Sequence, residues 1–408
     1  MASGLVSSRS SSTSLQPAIL FFIIILFLSM MINADHTNMI INNVADFGAK
    51  GDGKTDASRA FLRAWAASCS SMEPSTVYVP RKKYLLSQTI FRGPCKNSKI
   101  TFRIDGILIA PDFKKMGSSV ENWLMFDVVE GVSVIGGFLD GQGSSLYACK
   151  AKKQGCLEGP TSLAFYSSKD ILVQNLTSLN AKLFHIVVHT CANVVLEGVK
   201  IRAPKESPNT DGIHIQNSFN VRVFNTGIKT GDDCISIGPG TQNLWVQRVA
   251  CGPGHGISIG SLAKDQEEEG VQNVTVKNVV FTGTQNGLRI KSWGRPSNGF
   301  VRGVVFRKVV MNNVQNPIVI DQNYCPRNEG CPGQHSGIQI SQVTFANIKG
   351  TSATQVAMKF DCSKTSPCNG INVEDVKLTY HQHQQPAESF CRNVRGVSRG
   401  LVFPPSCL

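Results

Sequence analysis

The chain has 408 residues, of which 41% are hydrophobic, 37 are glycine and only 17% are charged, with a formal net charge of +13. Such a chain can bury a large core, and so much glycine with so little charge excludes a long helical array; the Val and Ile content favours β-structure. The positive balance calls for an acidic partner.

Residues 18–32, "AILFFIIILFLSMMI", form an apolar run after a serine-rich stretch whose one positive side chain is Arg9. This is a secretory signal pattern, and the run is shorter than the roughly 20 residues that span a bilayer. Cleavage is expected after the small residue Ala34, with a signal anchor as the alternative. Removing residues 1–34 takes away Arg9 and leaves a net charge of +12. The mature chain, residues 35–408, is expected to be one secreted, extracellular domain, a monomer with no nucleic-acid or membrane partner.

After the turn-rich "DFGAKGDGKTD", Asp56 can cap a helix in which Ala60, Phe61, Ala64 and Trp65 share one face. The glycines at 48, 51 and 53 do not match a dinucleotide loop. The segment from about 44 to 70 is expected to cap the N-terminal end of the domain.

Thirteen cysteines in an exported chain read as a disulfide framework. Short gaps suggest Cys149 with Cys156, Cys325 with Cys331 and Cys362 with Cys368. Longer ones could join Cys69 to Cys95, Cys234 to Cys251 and Cys391 to Cys407, leaving Cys191 as a buried small apolar side chain. Two sequons, at Asn175 and Asn273, are candidate glycosylation sites that otherwise simply pack in strands.

From Gly131 onward a short pattern recurs: a polar residue or glycine, then apolar-x-apolar-x-x-apolar-x-apolar. It starts at Gly131, Asp170, Asn193, Asn220, Asn243, Asn273, Gly303, Gly337 and Gly370, and the copy at Asp170 is the weakest because it ends in Ser178. Between these copies lies a second strand, including "FHIVV" (184–188), "GIHIQ" (212–216), "CISIG" (234–238), "GISIG" (256–260) and "GLRIK" (287–291). Repeats of this length, with two or three short strands and no helix-length amphipathic segment, point to an all-β parallel β-solenoid, one coil per repeat. A propeller blade needs about 40–45 residues and hairpins, which fits worse.

Aligning the second strands on Ile213, Ile235, Ile257 and Leu288 puts polar residues in rows. Two positions earlier stand Asp211, Asp233, His255 and Asn286; one position later, His214, Ser236, Ser258 and Arg289; three later, Gln216, Gly238, Gly260 and Lys291. Taken singly, each is most simply a turn or surface residue. Together Asp211, Asp232, Asp233, His255, Arg289 and Lys291 form one strip drawn from four coils, where clustered like charge suggests tuned protonation. Strict alternation would send Asp233 inward with Ile235, so a turn must intervene. Carboxylates that divide into a proton donor and a water activator are what hydrolysis of a glycosidic bond requires, and Arg289 and Lys291 suit a substrate carboxylate. No serine nucleophile elbow, metal-ligand set or phosphate loop competes, so no cofactor and no metal is expected. The pairs "HIVVH" (185–189) and "HQHQ" (381–384) do not change this, since the first lies on a strand and the second reads as a polar loop.

"SPNTDGIHI" (207–215), "GDDCISIG" (231–238), "CGPGHGISIGS" (251–261) and "RIK" (289–291), in this order and spacing, resemble the four signature segments of polygalacturonases, the pectin-cleaving family of glycoside hydrolases. The resemblance runs from about Val44 to about Cys407 and is strongest to the plant secreted branch. It implies a right-handed parallel β-helix and inverting hydrolysis of α-1,4-linked galacturonic acid in the cell wall. Carried over by motif, Asp232 is the general acid, Asp211 and Asp233 hold and activate water, and His255 sustains the acid's protonation state. Arg289 and Lys291 grip the galacturonate carboxylate, with Asn209 and Tyr324 as further substrate-binding residues. Endo action is the leading expectation. The alternatives are exo action, a rhamnogalacturonan hydrolase, a calcium-dependent pectate lyase, and a wall-binding protein without catalysis. The chain departs from the plant pattern in three places. "GSSLYACK" (143–150) stands where a Trp pair is usual, and "GSLA" (260–263) replaces "GSLG". The acidic loop "KDQEEEG" (264–270) must face solvent if it is not to repel an anionic substrate.

Overall fold

A computed structural model describes residues 39–117, 120–152, 155–380 and 386–408, together with Met1 and Gly4. The signal segment and "HQHQ" lie outside the described residues. The chain divides into two units, Met1–Met39 and Ile40–Leu408, and the second carries the fold.

Two parallel sheets build that unit. One has eleven strands in unbroken chain order from Thr89–Arg92 to Glu388–Arg392, each paired with its counterparts one coil before and after. The other has nineteen, because early coils contribute two short strands, such as Lys169–Gln174 and Thr177–Leu179. In later coils the two fuse into one bent strand, such as Phe219–Lys229. The result is a right-handed parallel β-helix, the hand that parallel crossovers overwhelmingly take.

The recurring polar or glycine position is explained by backbone geometry. Asp170, Asn193, Asn220, Asn243, Asn273, Gly303 and Gly370 all have φ between +55° and +64°, the left-handed region where Asn, Asp and Gly are least penalised. A second left-handed residue bends each coil again: Asn175, Gly198, Asn225 and Arg248 in successive coils. The exposed amides also chain between coils, with Asn193 donating to Asp170 at 2.7 Å, Asn220 to Asn193 at 2.7 Å and Asn273 to Asn243 at 3.1 Å. Both sequon asparagines sit at such exposed corners.

One repeat start is corrected. Gln342, not Gly337, stands in register with Gly303 and Gly370 and has the left-handed φ of +54°. Ile338 and Ile340 imitate the repeat five residues too early because they too are buried.

Between the corners the apolar positions stack in rows. Ile171, Val194, Val221, Leu244, Val274, Val304, Val343 and Ile371 are in register and fully buried. Each such side chain contributes roughly 1.5–3 kcal/mol of transfer free energy. Ser178, the irregular position, points inward too, and its hydroxyl pairs with His185 Nδ1 at 2.8 Å in the core. His189 instead lies on the outer face against Tyr166, ring centroids 5.0 Å apart, so "HIVVH" brings no pair of imidazoles together.

The helix Ser58–Ser70 packs on the first strands, Ile40–Asn43, Ser75–Val79 and Thr89–Arg92, and buries Ala60, Phe61, Ala64 and Trp65. Asp56 accepts from the Ser58 amide at 2.9 Å and its hydroxyl at 2.5 Å. Phe61 meets Tyr84 and Trp65 meets Phe91, so the apolar end of the first coil is closed. Another helix, Ser144–Ala151, was not legible in the repeats; it interrupts one coil and is tied down by Cys149–Cys156. The other five disulfides also join the cysteines that the spacing paired, and Cys191 is free and buried.

Candidate active site

The eleven-stranded sheet carries the polar strip on its outer surface. Its strands Ile213–Gln216, Ile235–Ile237, Ile257–Leu262 and Asn286–Trp293 align Ile213, Ile235, Ile257 and Leu288, and in the next row His214, Ser236, Ser258 and Arg289. The third row breaks. The register shifts between Ile259 and Leu262, so Gly260 and Ser261 together face one residue, Lys291. Only glycine fits at 260, since φ is +104° and a Cβ would lie 2.1 Å from the Lys291 carbonyl oxygen.

The turn that Asp233 needs exists. Residues 230–234 bend before the strand begins at Ile235, and Asp232 Oδ1 accepts the Asp233 amide at 2.8 Å. Gly231 permits the bend to pack against the preceding coil, because a Cβ there would come within 2.0 Å of the Ser207 carbonyl. Thr210 and Thr230 hydroxyls, 2.7 Å apart, join the two turns, and Cys234–Cys251 joins the second to the third.

The three carboxylates converge but differ sharply in surroundings. Asp233 is buried and held by three donors: Oδ1 accepts from Ser258 and Arg289, Oδ2 from Lys291, all at 2.8 Å. Burial opposes its ionisation, but Lys291 and Arg289 outweigh it and hold its pKa at about 2. Asp211, also buried, has its pKa pushed well up by desolvation and then by the charges of Asp232 and Asp233. Asp232 is the most open, with 19% of its side chain exposed, and its Oδ1 lies 3.0 Å from His255 Nδ1. Asn209 donates to its Oδ2 at 3.5 Å.

Arg289 and Lys291 make a contact that the sequence did not announce. Both reach a carboxylate of the chain itself and are nearly buried, at 9% and 7% exposure. Lys291 still borders the hollow, and its ammonium lies 5.2 Å from the Tyr324 ring. Trp293 packs edge-on against Tyr324 at 5.2 Å and does not line the hollow.

That hollow measures 190 Å³ and is bordered by Asn209, Asp211, Asp232, Asp233, Lys291 and Tyr324. It also includes Phe184, His214, Gln216 and Lys264, which were not singled out as site residues. His214 had stood in the aligned row; it stacks on Phe184 at 5.1 Å, and burial lowers its pKa to about 4. Asp232, Asp233 and His255 offer ligand atoms within 4.8 Å of one another, yet both Asp233 oxygens are already taken by cations, so a metal ion would enter a positive environment.

None of the loop's acidic residues borders the hollow, whereas Lys264 at its start does. Asp265, Glu267 and Glu269 are exposed, and Glu268 folds back to accept the amides of Ala263 and Lys264 at 2.7 and 3.0 Å. Ala263, the residue of "GSLA" that departs from glycine, is buried with φ of +60°. Ala263→Gly is expected to stabilise the fold by roughly 1 kcal/mol by relieving that left-handed backbone. An unchanged or lower urea midpoint would refute it.

A profile for glycosyl hydrolases family 28 matches residues 69–401. The chain is 56% identical over 391 residues to a polygalacturonase of Prunus persica, covering 95% of this chain and 98% of that one. It is 44% identical to an exopolygalacturonase of Platanus acerifolia over 89% of this chain and 96% of that one. The solved exopolygalacturonase of Thermotoga maritima superposes with a TM-score of 0.71 at 20% identity, covering 88% of this chain and 90% of that one. A β-helix with three carboxylates gathered from adjacent coils, matched along nearly its whole length by such relatives, belongs to glycosyl hydrolases family 28, among the plant-type polygalacturonases.

Proposed function

We propose that the chain is a secreted enzyme that hydrolyses α-1,4-galacturonosyl linkages of homogalacturonan with inversion and by endo action. The leader 1–34 and the single mature domain 35–408, working as a monomer without cofactor, are part of that reading.

The observation that carries it is the convergence of three carboxylates, two of them pushed in opposite directions: Asp233 is held low by its cations and Asp211 is raised by burial. Asp233 stays ionised and anchors the attacking water. Asp211 shares that water, and a carboxylate whose pKa is raised is the stronger base once it is ionised. Asp232 is the most exposed of the three and so the one a glycosidic oxygen reaches; it donates the proton to the leaving sugar, with His255 beside it. The competent state has the transferable proton on Asp232 and an ionised Asp211. Arg289 and Lys291 hold Asp233, and Lys291, at the rim with Tyr324 and Asn209, meets the galacturonate carboxylate.

Endo action is supported by the continuation of the hollow. A second one of 360 Å³ shares Phe184, His214 and Gln216 with the first and runs on to Tyr166 and His189 of earlier coils. A chain can thus extend past the acids along the sheet. Incubation with polygalacturonate should release reducing ends with an early, steep loss of viscosity and with inverted anomeric configuration by NMR. Release of monogalacturonate at constant viscosity would establish exo action instead, and no new reducing ends would remove the hydrolase reading altogether.

A further inference from the structure

A hollow of 460 Å³ lies off the cleft, on the nineteen-stranded sheet, where the second segments of the acid-bearing coils run. Its floor is small or apolar: Gly227, Ala250 and Val280 stand in register on three successive coils. Its wall is cationic. Lys200 pairs with Gly227 and Arg202 with Lys229 on adjacent strands, and among the described residues no carboxylate lines the space. None of these three cations makes a side-chain hydrogen bond or ion pair with another described residue.

Two local costs coincide here without structural return. Like charges directly opposite on neighbouring strands repel, so Arg202 beside Lys229 disfavours the fold. Glycine inside a strand costs roughly 0.5–1 kcal/mol relative to alanine, yet Gly227 has no positive φ, and a Cβ there would meet nothing within 4 Å. The groove is open because its sequence leaves it open, not because packing demands it.

We propose that this groove is a second, non-catalytic binding site for an acidic polysaccharide, holding a stretch of uronan beside the one in the cleft. The identity of the polyanion rests on the function proposed above; the existence of an anion site does not. Lys229 is three residues from Asp232 on the same coil, so a polymer held in the groove raises the local concentration of chain at the cleft. A short oligosaccharide that fills the cleft alone gains nothing.

The test compares the full chain with a triple variant, Lys200→Gln, Arg202→Gln and Lys229→Gln, and with Gly227→Gln, which fills the groove at unchanged charge. Retention is measured by affinity electrophoresis in gels containing polygalacturonate, with Asp232→Asn introduced throughout so that the polymer persists. Turnover of trigalacturonate is measured in the parent background. The triple variant should lose polymer affinity roughly tenfold at low salt, and much less in high salt. Gly227→Gln should lose affinity as well, and trigalacturonate turnover should stay within about twofold in both. Unchanged retention of both variants overturns the site. Equal loss on dextran sulfate overturns its assignment to a uronan. If the parent turns over no galacturonide while the variants still lose retention, the groove stands and the proposed hydrolase function fails.

Discussion

Asp232→Asn is expected to lower polygalacturonate turnover by about 10²–10⁴-fold or more, the span attributed to a positioned acid, while the fold and the affinity for substrate persist. The amide has the same shape, and its oxygen can still accept the Asp233 amide that Asp232 Oδ1 now accepts at 2.8 Å. What disappears is the transferable proton. The pair with His255 is only partly buried, so its loss costs about 1 kcal/mol. Binding should hold, because the amide is neutral and of the same shape as the protonated acid that it replaces. The split between kcat and KM is therefore the informative measurement: near-normal kcat refutes Asp232 as the acid, whereas a raised KM at unchanged kcat makes it a binding group.

Asp233→Ala should have the largest effect on stability of any change in the cleft. It leaves Arg289 and Lys291 buried without their shared counter-charge, a defect that costs about 3–5 kcal/mol, and turnover should vanish with it. Its pH dependence has a definite sign. The folded pKa of about 2 lies below the ordinary carboxylate value, so the contribution of Asp233 is full above about pH 4 and is lost as pH falls through 2. The gap in urea midpoint between parent and variant should narrow over that window. Asp211 has the opposite sign: its raised pKa makes the ionised form unfavourable in the fold, so stability declines as pH rises towards and through the raised value. Asp211→Asn should therefore be inactive yet more stable at neutral pH, by on the order of 1 kcal/mol. A destabilised Asp211→Asn at neutral pH would show that its carboxylate is held by contacts outweighing its desolvation.

The coil ladder and the polar row of His214, Ser236, Ser258 and Arg289 were readable because burial and parallel register force the same residue types to recur. Ile213, Ile235 and Ile257 announce the wall, and whatever stands next to them must stack. The third row was not readable, because a bulge at Gly260 and Ser261 adds a residue with no apolar signature. Gly337 was mistaken for a coil start because Ile338 and Ile340 are as buried as the true repeat at Gln342. The motifs placed Arg289 and Lys291 at the acids, but the contact that both make with Asp233 was not legible in them. Whether a cation turns to a ligand or to Asp233 is decided by distances of a few ångström across coils, which no linear pattern records.

The cleft draws on the fifth to ninth of the eleven strands in its sheet. A whole coil gained or lost beyond either side would shift no reacting group relative to another; it would only alter how many sugar units the trough can seat. The same event between Asp233 and Arg289 would part Asp233 from Arg289 and Lys291 by one strand spacing, ~4.8 Å. Length of grip and chemistry are therefore separable inheritances in this architecture, the first free to drift by duplication and the second confined to a central block of five turns.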